Sequence, residues 1–308
     1  MHTLIQNLVA SGPVITDGAW GTQLQLRGLP QGVCPDQWNV SHPEVVEVVP
    51  RAYVAAGSQV ILTNTFRSNR VTLADYGLGE QAAALSRAGA QISRRAAGDG
   101  VRVFGSIGPS GKMLFAGEVD AGVLAAAFAE QARALAEGGA DALVVETMSD
   151  LEEAKLALAA ARPLGLPVVV SMVFDTGTAQ DRTMTGATPE QVATELTAAG
   201  ADVVGANCGQ GIAGYVEICR RLRAATDRPL WIKANAGLPQ MIGNQVVYQT
   251  TAAEFGNYGP ALVAAGADFL GGCCGTGPEY IRALIDRIGR RRSGNDNTAA
   301  ADRPPSKP

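Results

Sequence analysis

"AAGADFLGGC", residues 264–273, decides the architecture, because the chain carries the same phrase three times before. The earlier copies are "AAGSQVILTN" (55–64), "EGGADALVVE" (137–146) and "AAGADVVGAN" (198–207). Each reads as the end of a helix, a glycine that caps it, a polar turn residue and then a buried strand. Four other apolar runs alternate with them: "GPVITDG" (12–18), "GVRVFGSIG" (100–108), "LPVVVSMVF" (166–174) and "RPLWIKANAG" (228–237). Near-continuous apolar strands of this kind suit a parallel sheet buried on both faces.

The stretches between the strands read as helices. Ser41-His42-Pro43-Glu44 has the form of a capping box with proline at the first helical position, and Pro50 is expected to kink that helix. Residues 80–97, 118–138 and 150–162 are alanine-rich helical stretches, the last opened by Ser149-Asp150-Leu151-Glu152. Thr188-Pro189-Glu190-Gln191 opens the next, and helices near 214–225, 253–265 and 278–291 follow. Eight βα units in order predict an α/β fold, a single-domain (β/α)8 TIM barrel over residues 1–291. A doubly wound open sheet is the competitor, but eight units with none left over favour closure. Residues 292–308, polar and proline-rich, read as a disordered tail.

Composition narrows the function classes. The 308 residues are 46% hydrophobic and carry a net charge of −4, which gives no support for nucleic-acid binding. Basic residues are scattered, apart from "RIGRRR" at 287–292. No run approaches the ~20 apolar residues of a membrane span, and "MHTLIQNLVASG" does not read as a signal peptide. Five cysteines, an odd number with two adjacent, suit a reducing compartment, so a cytoplasmic location is expected.

Barrel enzymes carry their chemistry at the C-terminal ends of the strands. Here those ends are Asp17-Gly18, Thr63-Asn64-Thr65, Ser106, Glu146-Thr147, Met172, Asn207-Cys208, Lys233-Ala234-Asn235 and Cys273-Cys274. Cys208, Cys273 and Cys274 therefore collect on one rim. Three thiols around an open position match a catalytic zinc site, and thiolates favour zinc over magnesium or calcium. Gly271, Gly272 and Gly275 are expected to keep side chains from crowding a metal. An iron–sulfur cluster would call for a fourth cysteine. Cys219 reads as helix packing and Cys34 as loop packing. A lone nucleophilic cysteine lacks a partner, since His2 and His42 are the only histidines.

Asp17 and Glu146 end apolar strands, where ionised carboxylates are costly unless paired. They read as a general acid/base pair, as holders of an ammonium group, or, for Asp17, as a loop cap. Thr63, Asn64, Thr65 and Asn207 offer neutral hydrogen bonds to a carboxylate or amide, each as readily structural as functional. Lys233 either points inward or snorkels.

At these residues the chain resembles the homocysteine S-methyltransferase family, through "DGAWGT" (17–22), "TNTF" (63–66), "GANCGQG" (205–211), "KANAGLP" (233–239) and "GGCCGT" (271–276). The resemblance covers roughly residues 10–290 and is nearest to the homocysteine-binding domain of cobalamin-dependent methionine synthase, with similarity also to betaine–homocysteine methyltransferase. Ala234 stands where that family usually has proline. The resemblance implies Cys208, Cys273 and Cys274 as catalytic Zn2+ ligands. It implies Asp17, Gly18, Thr63, Ser106, Glu146 and Asn207 around homocysteine, with the two acids on its amino group. The implied reaction is attack of the homocysteine thiolate on an activated methyl group, giving methionine. Folate- and cobalamin-binding modules do not fit within 308 residues. The expected donor is therefore a small onium compound, of betaine or S-methylmethionine type, or a methylated corrinoid on a separate protein. A barrel that binds homocysteine and zinc without catalysing transfer is the alternative. A phosphate-binding barrel enzyme leaves the three cysteines without a purpose.

Overall fold

A computed structural model of the chain, describing residues 1–243 and 245–289, places a strand in each of the eight apolar runs. The strands are β1 (Val14–Ile15), β2 (Val60–Ile61), β3 (Arg102–Ile107), β4 (Ala142–Met148), β5 (Val168–Met172), β6 (Val203–Gly211) and β7 (Leu230–Asn235). A hairpin of β8 (Pro239–Ile242) and β9 (Gln245–Tyr248) intervenes before β10 (Phe269–Gly272), the eighth strand of the barrel. The barrel strands pair in parallel in the order β1-β10-β7-β6-β5-β4-β3-β2. Between β1 and β2 the Gln59 N–H donates to the Ile15 carbonyl at 2.8 Å, and the Ile15 N–H to Gln59 Oε1 at 3.0 Å. The result is a nearly closed (β/α)8 barrel.

Gln59 occupies the polar position of the repeated phrase, and the other three copies do the same work with aspartate. The Asp141 N–H donates to Val103 O at 2.7 Å while its Oδ2 accepts from Val103 N at 2.8 Å. Asp202 clamps Val168 with distances of 2.9 and 3.1 Å, and Asp268 clamps Leu230 with 3.0 and 2.8 Å. Each clamp satisfies an N–H in the first two residues of one strand from the turn entering another, at the barrel's N-terminal rim. The glycine two residues earlier turns the chain out of the helix. Gly57, Gly139, Gly200 and Gly266 have φ of 105°, 95°, 92° and 102°, a region a side chain disfavours.

Alternate residues of each strand face the barrel axis. Val14, Phe104, Val144, Val169, Val203, Trp231 and Phe269 make an apolar plug there. The Trp231 ring lies 6.0 Å from that of Phe104 and 5.5 Å from that of Phe269. A short helix, Thr3–Val9, adds Ile5 to this plug. Two residues further along the same faces come Ser106, Glu146, Ser171 and Lys233, with Asn207 midway along β6. All five are buried. A polar layer thus sits on an apolar one.

Local expectations were refined. Ser41 forms no capping box: it ends the short helix Trp38–Ser41, and its hydroxyl donates to Gln37 O at 3.2 Å. Pro50 lies inside the helix Pro43–Ala56, as the sequence requires. Asp150, not Ser149, caps the helix Leu151–Ala161. Thr188 and Gln191 do form a capping box. The helix expected over 253–265 is two, Ala252–Asn257 and Gly259–Ala264, meeting before Gly259-Pro260. The tail 292–308 lies outside the described residues.

Asp268→Ala would strip Leu230 N of its acceptor inside the barrel rim. Chemical denaturation should show a loss of about 1–3 kcal/mol, and Asp268→Asn, which keeps a carbonyl acceptor, should lose less.

Candidate functional site

The polar layer opens into a cavity of 360 Å³ at the C-terminal end of the barrel. Gly18, Trp20, Thr63, Ser106, Glu146, Lys233, Cys208, Cys273 and Cys274 are among its lining. Two clefts elsewhere on the surface, of 470 and 660 Å³, contain none of these cysteines.

Strand irregularities aim the key side chains. Val145 pairs with Val170 and Met148 with Met172, so Glu146 and Thr147 together oppose Ser171 alone. This is a β-bulge, and Thr147 has φ of 60° within it. A second irregularity follows Cys208, whose φ is 64°. Left-handed backbone at a non-glycine residue is costly, and such outliers gather at functional sites.

Glu146 is 7% exposed and accepts from the Ser106 hydroxyl at 2.5 Å. Burial raises its carboxyl above the usual range, opposed by the nearby Lys233 charge and the Ser106 hydrogen bond. Lys233 points inward, because it shares the face of Trp231, and its ammonium donates to Asp17 Oδ1 at 2.5 Å. Asp17 Oδ2 accepts from Trp20 Nε1 at 2.9 Å and from Leu62 N at 2.8 Å. Asp17 thus lies in the floor with its charge paired.

The three rim cysteines come together. Their sulfurs lie within 4.8 Å of one another, with Cys208 and Cys274 at 4.0 Å. Two sulfurs on one tetrahedral zinc, each at about 2.3 Å, would stand about 3.8 Å apart. The cluster therefore fits such an ion. As bare thiols the cluster stays protonated. Cys208 is pushed up to about 12: its contact with Cys273 favours the thiolate, but contact with Cys274 and burial outweigh it. Cys274 is also pushed up to about 12, since contact with Cys273 and burial outweigh the opposing contact with Cys208. A divalent cation is what would let three adjacent thiolates coexist.

The support around the sulfurs was not legible in advance. Asn235 joins both cysteine-bearing strand ends, its Nδ2 donating to Gly209 O at 2.9 Å and its Oδ1 accepting from Cys274 N at 3.0 Å. The Tyr215 hydroxyl donates to Cys208 O at 2.6 Å. Tyr248, from the hairpin, lays its ring against Gly275 beside Cys274: a Cβ on Gly275 would stand 2.3 Å from that ring. The glycines here make room for protein rather than metal. A Cβ on Gly271 would stand 2.0 Å from Thr16 Oγ1, and one on Gly272 would stand 2.2 Å from Thr276 Oγ1.

The remaining expected residues divide by what they touch. Asn207 Oδ1 accepts from Thr147 N at 2.9 Å and Ser171 Oγ at 2.7 Å; its Nδ2 donates to Thr147 Oγ1 at 2.7 Å and faces Cys273 Sγ at 3.8 Å. It holds the bulge and a thiol in place. Thr63 Oγ1 accepts from Ser106 N at 2.9 Å and contacts Thr65 Oγ1 at 2.6 Å. Asn64 also lines the cavity, but its amide is engaged by the protein, donating to Pro35 O at 2.8 Å and Asn39 Oδ1 at 2.9 Å. Gly18 lines the cavity, and a Cβ there would stand 2.8 Å from Thr276 O. Cys34 is buried with Leu73, Ala82 and Leu85, and Cys219 within its helix, both apart from the cluster.

The sequence model of homocysteine S-methyltransferase matches residues 14–288. The chain belongs to the homocysteine S-methyltransferase family. Among its relatives are the methionine synthases of Mycobacterium leprae, 32% identical over 96% of this chain, and of Mycobacterium tuberculosis, 33% identical over 93%. The chain spans about a quarter of the length of these relatives, since the matches cover 25% of each. The homocysteine methyltransferase MmuM from Escherichia coli, in its oxidized form, superposes with a TM-score of 0.77 at 25% identity, over 92% of this chain and 99% of that one. Its metallated form superposes at 0.75 and 24% identity, over 89% and 96%, a likeness of fold.

Asn235→Ala would remove the side-chain bonds that tie Gly209 to Cys274, leaving the backbone pairing in place. Zinc affinity measured by competition with a chromophoric chelator should fall about 10- to 100-fold, the usual scale for such supporting contacts.

Proposed function

We propose that this chain transfers a methyl group to the sulfur of homocysteine, forming methionine, with zinc bound by Cys208, Cys273 and Cys274. The observation that carries the reading is the convergence of three thiols from two strands at one wall of a cavity that also holds a buried carboxylate. Membership in the family supports the reaction class. When bound, zinc supplies the Lewis acidity that keeps a fourth thiol ionised at neutral pH.

The protein's own groups do the rest. Glu146 is the partner for the substrate ammonium, held in line by the Ser106 hydroxyl. Gly18 and Thr63 line the same cavity and bound the polar end of the substrate. Asn207 keeps Cys273 and the β4 bulge in register. As the new S–C bond forms, the donor–C bond breaks and its electron pair leaves with the donor. A donor departing as a neutral amine, sulfide or reduced corrinoid needs no general acid. This accords with a cavity whose lining contains no histidine among the described residues.

The donor is a small onium compound, of betaine or S-methylmethionine type, or a methylated corrinoid carried by another module. A methionine-formation assay over that panel separates them. The purified protein should bind one zinc per chain, and Cys273→Ala should lose both zinc and methyl transfer with every donor. Full activity in chelator-treated, metal-free protein would overturn the reading. Homocysteine binding without transfer from any donor in the panel would favour a non-catalytic subunit.

A further inference from the structure

Asp17 and Glu146 are the two acids expected near the substrate amine, but they are not equivalent. Glu146 and Lys233 line the cavity, whereas Asp17 is fully buried behind them. Asp17 already receives three donors from the protein: Lys233 Nζ, Trp20 Nε1 and Leu62 N. A substrate ammonium brought to Asp17 would lie against the ammonium of Lys233, like charges in a site where water screens poorly. Glu146 has Ser106 as its hydrogen-bond donor and, among the described residues, no ion-pair partner within 4.0 Å. Among the described residues, Lys233 is the one cation near both acids. Its stem is fixed by the β7 register, its Nζ lies 5.6 Å from the Trp231 ring centroid, and it pairs with Asp17 alone.

We propose that Lys233 is a positioning residue for amine recognition: Asp17 draws the lysine ammonium away from Glu146, so that Glu146 alone receives the amino group of the thiol substrate. This rests on the homocysteine reading and sharpens it. Two acids and one lysine leave a single uncompensated negative charge, which one substrate ammonium neutralises. Without Asp17 the lysine would turn to Glu146 and fill the place of that ammonium. Without both Asp17 and Lys233 the floor would be neutral and Glu146 free again.

The test compares homocysteine with 4-mercaptobutanoate, which has the same thiol and carboxylate but no amine. Both are titrated calorimetrically into zinc-loaded wild type, Asp17→Asn, Asp17→Asn/Lys233→Met and Glu146→Gln. Wild type should prefer homocysteine by about tenfold or more, the scale of one charge-assisted hydrogen bond. Glu146→Gln should lose that preference. Asp17→Asn should lose it too, and adding Lys233→Met should restore it to within about threefold, the usual tolerance of additivity. A double variant that stays indiscriminate would give Asp17 a direct contact with the amine and overturn the proposal. An unchanged preference in Asp17→Asn would make the pair merely structural and also overturn it. Should Asp17→Asn fail to fold, Asp17→Ser takes its place with the same expected loss, and an unchanged preference in it overturns the proposal. A wild type that loads zinc yet binds neither thiol would instead refute the homocysteine reading beneath it.

Discussion

Everything at the catalytic end of this barrel depends on how β7 spaces β6 from β10. Cys208 pairs with Ala234, and the Cys273 N–H donates to that same Ala234 carbonyl at 2.7 Å. One residue on, Asn235 bonds Gly209 O on one side and Cys274 N on the other. A single strand thus measures the gap across which the thiols face one another. Residues 66 positions apart in the chain arrive with sulfurs 4.0 Å apart. Three thiols so close are poor company for one another as anions: mutual contact and burial together push Cys208 and Cys274 up to about 12. The strand pairing holds them together regardless, and a cation is the natural reconciliation.

The electrostatics of the cavity follow from a second regularity, the period of two along a strand. The interior faces that begin with Phe104, Val144, Val169 and Trp231 continue to Ser106, Glu146, Ser171 and Lys233. The apolar plug below keeps the polar layer dry from beneath. Its ionised groups must therefore compensate one another: Lys233 against Asp17, with Glu146 left to the open side. Thiols on one wall and an acid on another bound that cavity.

Much of this was written in the sequence, and the reasons for the rest are physical. The fourfold phrase revealed the eight strands because its glycine and its polar residue have fixed jobs, a left-handed turn and a reciprocal clamp. The cysteine triad was legible because strand ends in a barrel share one rim. The direction of Lys233 was not, since only the register that places Trp231 inside settles it. The bulge at Glu146 and the left-handed backbone at Cys208 have no glycine to announce them. The hairpin carrying Tyr248 did leave a signal, the Gly243-Asn244 pair between short apolar runs, which is a two-residue turn motif. Asn207 was recognisable as important but not for which neighbours, because an amide's four hydrogen bonds are decided by tertiary contacts.

The central claim is that Cys208, Cys273 and Cys274 together bind one zinc ion and leave a place beside it for the substrate sulfur. X-ray absorption at the zinc edge tests this directly, on zinc-loaded protein before and after homocysteine is added. The account predicts three sulfur scatterers at about 2.3 Å rising to four with homocysteine. A zinc environment with fewer than three sulfurs, or one that homocysteine leaves unchanged, would contradict it.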